Sequence, residues 1–181
     1  MTIIGLGEDG LSGLSNASQE ALAAATIVTG AARHLDLLPD LAAEIRVWPV
    51  PFADGIQPLL ALRGCNVVVL ASGDPFWFGA GSVLARHLER TEWRALPAPS
   101  VASHAAAHLG WPLEKTPVFG LHAAPLQRLR PALHADARLL ILLRDGAAVA
   151  KLATYITDAG FGASQLWVME AMGGPRERVR C

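Results

Sequence analysis

Cysteine is almost absent from this chain. Cys65 and Cys181 are the two it has, too few for a disulfide framework and without the spacing of metal ligands. No basic run or stripe occurs, and the formal net charge is −1, which argues against a nucleic-acid surface. Long hydrophobic runs are lacking as well. Val67–Ala71 and Leu139–Leu143 fall far short of the roughly 20 residues that cross a bilayer. The first residues have neither the positive start nor the apolar core of a signal peptide. Charge is sparse overall, 17% against 52% hydrophobic, so there is enough apolar surface for a core and disorder is excluded. These absences predict a soluble, cytoplasmic, reduced globular protein with no nucleic-acid or membrane partner. Its 181 residues suffice for one large domain or two small ones.

What is present is alternation. "TIIGL" reads as a buried strand running into a glycine turn, and "LSNASQEALAAA" as a helix capped by Ser15 or Asn16. "TIVTG" is a second strand. "ARHLDLLPDLAAE" starts as a helix and is interrupted at Pro39, and "IRVWPVP" is a third strand. A helix near "IQPLLALR" leads into the strand "NVVVLAS". "GSVLARHLER" has helical apolar spacing, "WRALPAPS" is a strand ending in prolines, and "VASHAAAHLG" is a helix. Strand and helix alternating at this spacing imply parallel strands joined by crossover helices. "LGWPLEKTP" reads as a linker. Strand "VFGL", a helix near "LQRLRPALH", strand "ARLLILL", helix "AAVAKLATYITDAG" and strands at "QLWVMEA" and "ERVR" come after it. The expected architecture is α/β in two lobes, 1–112 and 113–181: a mostly parallel sheet in the first and a smaller mixed sheet in the second.

Gly5-Leu6-Gly7-Glu8-Asp9-Gly10 fits G-x-G-x-x-G after a strand, a weak signal by itself. A nicotinamide site needs an acidic residue where the next strand ends, and "TIVTGAARH" has none. Glu8 and Asp9 also put negative charge where a pyrophosphate would sit. A tight strand-to-helix turn, or a turn bordering a cofactor without phosphates, explains the glycines equally well.

The stretch "VVVLASGDPFWFGAG" places a carboxylate at the mouth of a buried strand and surrounds it with aromatics. Gly73 lets backbone approach a ligand closely. Asp74 stands at the carboxyl end of a parallel strand, where ligands bind in open α/β sheets. An Asp before Pro also holds a turn by accepting from backbone amides, and Phe76, Trp77 and Phe78 serve equally as core or as pocket wall. His104 and His108 have the i, i+4 spacing of metal ligands, but no third ligand accompanies them, so no metal is expected.

In order, "TIIGLGEDG", "LSNASQEALAAATIVTG" and "VVVLASGDPFWFG" resemble the tetrapyrrole methylases, two-lobed enzymes that use S-adenosylmethionine and release S-adenosylhomocysteine. "GAARHLDLLP", "FGLHA" and "VMEAMGGPRERV" resemble the cobalamin-pathway branch that methylates a precorrin at C5. The resemblance covers nearly the whole chain. It implies a cofactor pocket lined by Glu8, Ser72, Gly73, Asp74, Trp77, Ser100 and Val101, with Leu143, Arg144, Ala171 and Met172 from the second lobe. Asp74 is the residue it assigns to catalysis. The acceptor is an electron-rich ring carbon, and no general base is named. A precorrin carries many carboxylates, which cations must hold, Arg best of all. Arg33 and His34 are the first candidates, then Arg176 and His122. The resemblance further implies a homodimer, and a chain that is one segment of a longer protein fused to a second methyltransferase domain. Three positions depart from the family pattern: Ala98 and Val101 in the proline-rich turn, and Ala123 after His122. The competing readings are another member of the superfamily (diphthine synthase-like or ribosomal-RNA methylase-like) and a non-catalytic lobe of a fused enzyme.

Overall fold

The computed structural model describes residues 1–181. The chain separates into two compact units: Met1–Val101 with Gly173–Pro175, and Ala102–Met172 with Arg176–Cys181.

In the first unit, five parallel strands make one sheet: β1 (Thr2–Leu6), β2 (Ile27–Gly30), β3 (Glu44–Val47), β4 (Val67–Ser72) and β5 (Arg94–Leu96). Their spatial order is β3-β2-β4-β1-β5. The inner strands are continuous apolar runs because both faces of the sheet are covered. Side chains alternate between two apolar layers. Ile3, Ile27, Val67, Val69 and Ala71 pack with Ile56, Leu59 and Leu84. Ile4, Leu6, Val28, Val68 and Leu70 pack with Leu14, Ala21 and Leu22. Each large side chain buried this way contributes about 1.5–3 kcal/mol.

The crossovers are α1 (Asn16–Ala23), α2 (Ala32–Leu35), α3 (Ile56–Leu60) and α4 (Gly81–Leu84). Ser15 is the α1 cap: its Oγ accepts from the Ser18 amide at 3.2 Å. α2 is a single turn, shorter than the sequence pattern suggests. Asp36 and Leu37 continue it as a turn, and Pro39 stands two residues beyond, where helix cannot resume. β3 is the exposed edge, with Ile45, Val47 and the nearby Val50 open to solvent.

The second unit holds α5, which begins at Val101 and runs to Leu109, and α6 (Gly146–Ile156). β6 (Val118–Gly120) and β7 (Leu140–Leu142) pair in parallel, and β8 (Val168–Glu170) pairs with β9 (Arg178–Arg180) antiparallel. The second lobe therefore has two separate two-stranded sheets where the sequence suggested one mixed sheet. Its apolar centre is Leu121, Leu129, Leu152 and Ile156. Asp145 caps α6, its Oδ1 accepting from the Ala148 amide at 2.9 Å. The expected helix at "LQRLRPALH" is a 3₁₀ segment, Leu126–Ala132, with Pro131 inside it; proline removes an α-helical donor and clashes with the preceding turn. The division of the chain falls at 101/102, earlier than the expected boundary at 112/113 within "LGWPLEKTP", and Gly173–Pro175 groups with the first unit. Gly110, at φ +66, ends α5, so the breakers that resemble a linker mark a helix terminus inside the second unit.

Candidate functional site

Parallel strands bring their carboxyl ends to one rim of the sheet, so the segments after β1, β2, β4 and β5 are neighbours. Backbone closeness at this rim dictates the glycines. A Cβ on Gly5 would lie 1.8 Å from the Gly73 carbonyl oxygen and 2.6 Å from the Ala98 nitrogen. Gly73 has φ +51, and a Cβ there would meet Pro99 O at 2.9 Å and Ser100 Cα at 3.0 Å. Hydrogen bonds tie the same segments together. Gly73 N donates to Leu6 O at 3.0 Å, and Ala98 N donates to Gly73 O at 3.1 Å. Thus the β4 end and the proline turn as far as Ser100 are held to β1, even with Ala98 in a place where the family pattern differs.

The glycine loop after β1 is filled by its own side chain. A Cβ on Gly13 would fall 2.0 Å from Asp9 Oδ2, and one on Gly7 2.5 Å from Asp9 Oδ1. The Asp9 carboxylate therefore packs within the turn, as a tight-turn role for these glycines requires. Glu8 is turned differently: its side chain is 25% exposed and stands 3.8 Å from the Arg33 guanidinium. The Gly174 backbone lies directly against Glu8, with no room for a Cβ.

Arg33 and His34, on α2, converge on the Ser72 hydroxyl at the end of β4. Arg33 Nη2 donates to Ser72 Oγ, and His34 Nε2 lies 3.0 Å from the same oxygen. The two residues differ sharply in exposure. The Arg33 side chain is 63% exposed, whereas His34 is 6% exposed and its Nδ1 is buried without a partner. Burial, aided by the Arg33 charge, pushes His34 down from an ordinary 6.5 to about 4. The imidazole is thus neutral at neutral pH. β2 and β4, which pack against α2, carry no charged side chain. The sequence offers His34 as a partner for substrate carboxylates; in the structure it lies beneath the rim as a partner of Ser72.

Asp74 Oδ1 accepts from the Phe76 amide at 2.8 Å, the turn-holding bond of an Asp before Pro; no hydrogen bond occupies Oδ2. Pro75 is fully buried. The aromatics beyond it are not core. Phe76 is 42% and Phe78 55% exposed. Phe76 packs on Trp93 with ring centroids 5.2 Å apart, and Trp77 meets Phe78 edge-on at 4.9 Å. Phe78 has φ +52, a left-handed backbone that a bulky residue adopts only under constraint.

Glu8, Arg33, His34 and Ser72 are thus one cluster, and Gly73 joins Ser100 beside it. In the second unit, Arg144 Nε donates to the His122 carbonyl at 2.9 Å, leaving the His122 ring exposed. Leu143 precedes this pair. Ala171 takes φ +50, Met172 is buried and Arg176 is exposed. His108 Nδ1 sits 3.8 Å from Glu177. No three His, Cys, Asp or Glu residues form a group able to hold a metal ion, and no helix is long and apolar enough to cross a membrane. The residues that sequence reasoning missed are Gly5 and Gly174. Both are glycines in quoted motifs, and what they accommodate is backbone from distant positions.

A doubly covered parallel sheet has glycines, an Asp, an Arg and exposed aromatics gathered at its strand ends, the place where open α/β sheets take small organic ligands. The model of the family Tetrapyrrole (Corrin/Porphyrin) Methylases matches residues 1–181, and the chain belongs to that family. A precorrin-6Y C(5,15)-methyltransferase [decarboxylating] from Sinorhizobium sp is 46% identical over 180 residues, 99% of this chain and 44% of the relative. A cobalt-precorrin-7 C(5)-methyltransferase from Salmonella typhimurium is 30% identical over 110 residues, 61% of this chain and 55% of its own. The chain therefore spans about half the length of the curated relatives it matches. A uroporphyrin-III C-methyltransferase from Thermus thermophilus, solved in complex with S-adenosylhomocysteine, superposes with a TM-score of 0.71 at 21% identity, covering 99% of this chain and 81% of that one.

Proposed function

We propose that this chain is an S-adenosylmethionine-dependent methyltransferase that methylates C5 of a precorrin ring in cobalamin biosynthesis. The observation that carries the reading is identity of 46% across 99% of the chain to a precorrin-6Y C(5,15)-methyltransferase. The position C5 is favoured because a relative named for C5 alone also aligns with this chain. The rest of the length of the two-position relatives supports a second methyltransferase domain working with this one. A cytoplasmic homodimer fits the same reading.

The residues at the strand ends fit the cofactor. Gly5 and Gly73 let the β1 end, the β4 end and the proline turn close on one another, which fixes the rim on which a ligand would rest. Asp74 keeps one carboxylate oxygen for a ligand hydroxyl or ammonium, and Trp77 with the exposed Phe76 and Phe78 offers apolar faces for an adenine or a macrocycle. Glu8, Ser72, Ser100 and Val101 border the same rim. When bound, the cofactor supplies a methyl group on a sulfonium, which passes to carbon by in-line displacement. The chain's part is to position donor and acceptor in a slot without water. Arg33, exposed and charged, is placed to hold a substrate carboxylate. The test is incubation with methyl-labelled cofactor and the precorrin: label at C5 supports the proposal, and a folded, cofactor-binding protein that transfers none overturns it.

A further inference from the structure

The donors and acceptors around the Ser72 hydroxyl fix where its hydrogen points. Arg33 has donors only, so Nη2 donates to Ser72 Oγ. The neutral His34 ring carries one N–H and one lone pair. Nε2 faces Ser72 Oγ at 3.0 Å, and Nδ1 is buried with no partner. If Nδ1 carried the hydrogen, a buried N–H would be orphaned. If Nε2 carries it, Nε2 donates to Ser72 and the defect is an empty lone pair. An orphaned buried N–H is the rarer and costlier defect, so the Nε2–H form prevails. Ser72 Oγ then accepts two hydrogen bonds, from Arg33 and from His34, which fill its lone pairs. Its own hydrogen has no acceptor within the chain, and the side chain is exposed at the rim. A hydroxyl that accepts from a cation is also polarised into a better donor. Arg33 has five donors and uses one on Ser72, with Glu8 at a distant 3.8 Å.

We infer that Ser72 is a dedicated hydrogen-bond donor which, together with Arg33, receives a ligand carboxylate, and that the buried His34 is the positioning residue that aims it. Two ligands of the proposed reaction carry such a group, the amino-acid end of the cofactor and the acid side chains of the tetrapyrrole. In naming them the inference rests on the methyltransferase reading; the direction of the Ser72 hydrogen does not.

The test has two arms. The first is ¹⁵N NMR of the wild-type chain labelled at histidine. His34 is expected in the Nε2–H form at pH 7, and the Nδ1–H form overturns the inference whether or not any ligand binds. The second compares wild type with Ser72→Ala, checked for folding by its melting temperature. The ligands are S-adenosylhomocysteine, 5′-methylthioadenosine (which lacks the amino-acid end) and uroporphyrin III. A loss of tenfold or more for S-adenosylhomocysteine, with none for 5′-methylthioadenosine, assigns the cofactor's carboxylate. The same loss for the porphyrin alone assigns the substrate's. Unchanged affinity for all three, or equal loss for both nucleosides, overturns the inference. A wild type that binds none of the three defeats the methyltransferase reading, and the tautomer still decides the direction of the Ser72 hydrogen.

Discussion

Replacing Gly5 by alanine tests the strand-end architecture at its tightest point. Gly5 lies in β1 opposite Ala71 of β4. The new Cβ would stand 1.8 Å from the Gly73 carbonyl oxygen, so that carbonyl must retreat by roughly 1.5 Å to restore ordinary contact. The bond from Ala98 N to Gly73 O, 3.1 Å in the native chain, does not survive such a shift. Overpacking costs about 1–3 kcal/mol, and the half-buried Ala98 amide, left unpaired, up to about the same again. The sum is roughly 2–6 kcal/mol, on the order of 10 °C in melting temperature for a chain of this size. Gly64→Ala is the control. Gly64 has φ +88 with no atom within 4 Å of an added Cβ, so only the left-handed backbone penalty of about 1–2 kcal/mol applies. Thermal unfolding monitored by circular dichroism reads both variants, and S-adenosylhomocysteine affinity well below the transition should also fall for Gly5→Ala. A Gly5→Ala protein that melts within about 1 °C of wild type, or no lower than Gly64→Ala, refutes the reasoning.

The same rim yields other outcomes. His34 protonates near 6.5 in the unfolded chain but only near 4 when folded. The unfolded state therefore takes up the proton first, and stability falls as pH drops from 6.5 toward 4, by about 2–3 kcal/mol. In urea denaturation at pH 7 and 4.5, His34→Gln should lose less stability over that interval than wild type, and an equal loss contradicts the burial argument. Asp74→Asn keeps an acceptor for the Phe76 amide and should melt with wild type, whereas Asp74→Ala should lose about 1 kcal/mol. Both should bind S-adenosylhomocysteine at least about tenfold more weakly, a loss of roughly 1.4 kcal/mol, and unchanged affinity in Asp74→Asn confines Asp74 to the turn. Arg33→Ala removes an exposed pair and should cost under about 1 kcal/mol of stability. Its affinity for a carboxylated tetrapyrrole should drop by about 1.5–3 kcal/mol, with a smaller drop at high salt; equal affinity removes Arg33 from the site.

Much of the fold is legible along the chain because burial writes itself as unbroken apolar runs. Ile3–Ile4, Val28 and Val67–Leu70 lie in inner strands covered on both faces, and their shortness, β-branched content and flanking turn residues favour strand over helix. The Ser15 cap and the Pro39 interruption are likewise local signals. Less legible are features settled by distant parts of the chain. α2 stops after one turn although its pattern continues, and Pro131 turns an expected helix into a 3₁₀ segment. The unit boundary is hidden because Gly110, Pro112 and Pro117 look alike whether they end a helix or join two domains. At the site, the Arg33–His34 pair is conspicuous as sequence, but adjacent residues on one helical turn point to different sides. One emerges to solvent and the other is buried beneath Ser72, and only the position of the β4 end decides which. Gly5 belongs to a recognisable motif, yet its reason for being glycine is the carbonyl of Gly73, 68 positions away in the chain.

The proposed methyltransferase activity requires that the strand-end rim of the first unit hold an S-adenosyl ligand and not a nicotinamide nucleotide. Isothermal titration calorimetry of the chain with S-adenosylhomocysteine, and separately with NAD, tests it most directly. Saturable heat at micromolar S-adenosylhomocysteine, about −8 kcal/mol, with none from NAD, is the predicted result. Binding of NAD with no response to S-adenosylhomocysteine would contradict it.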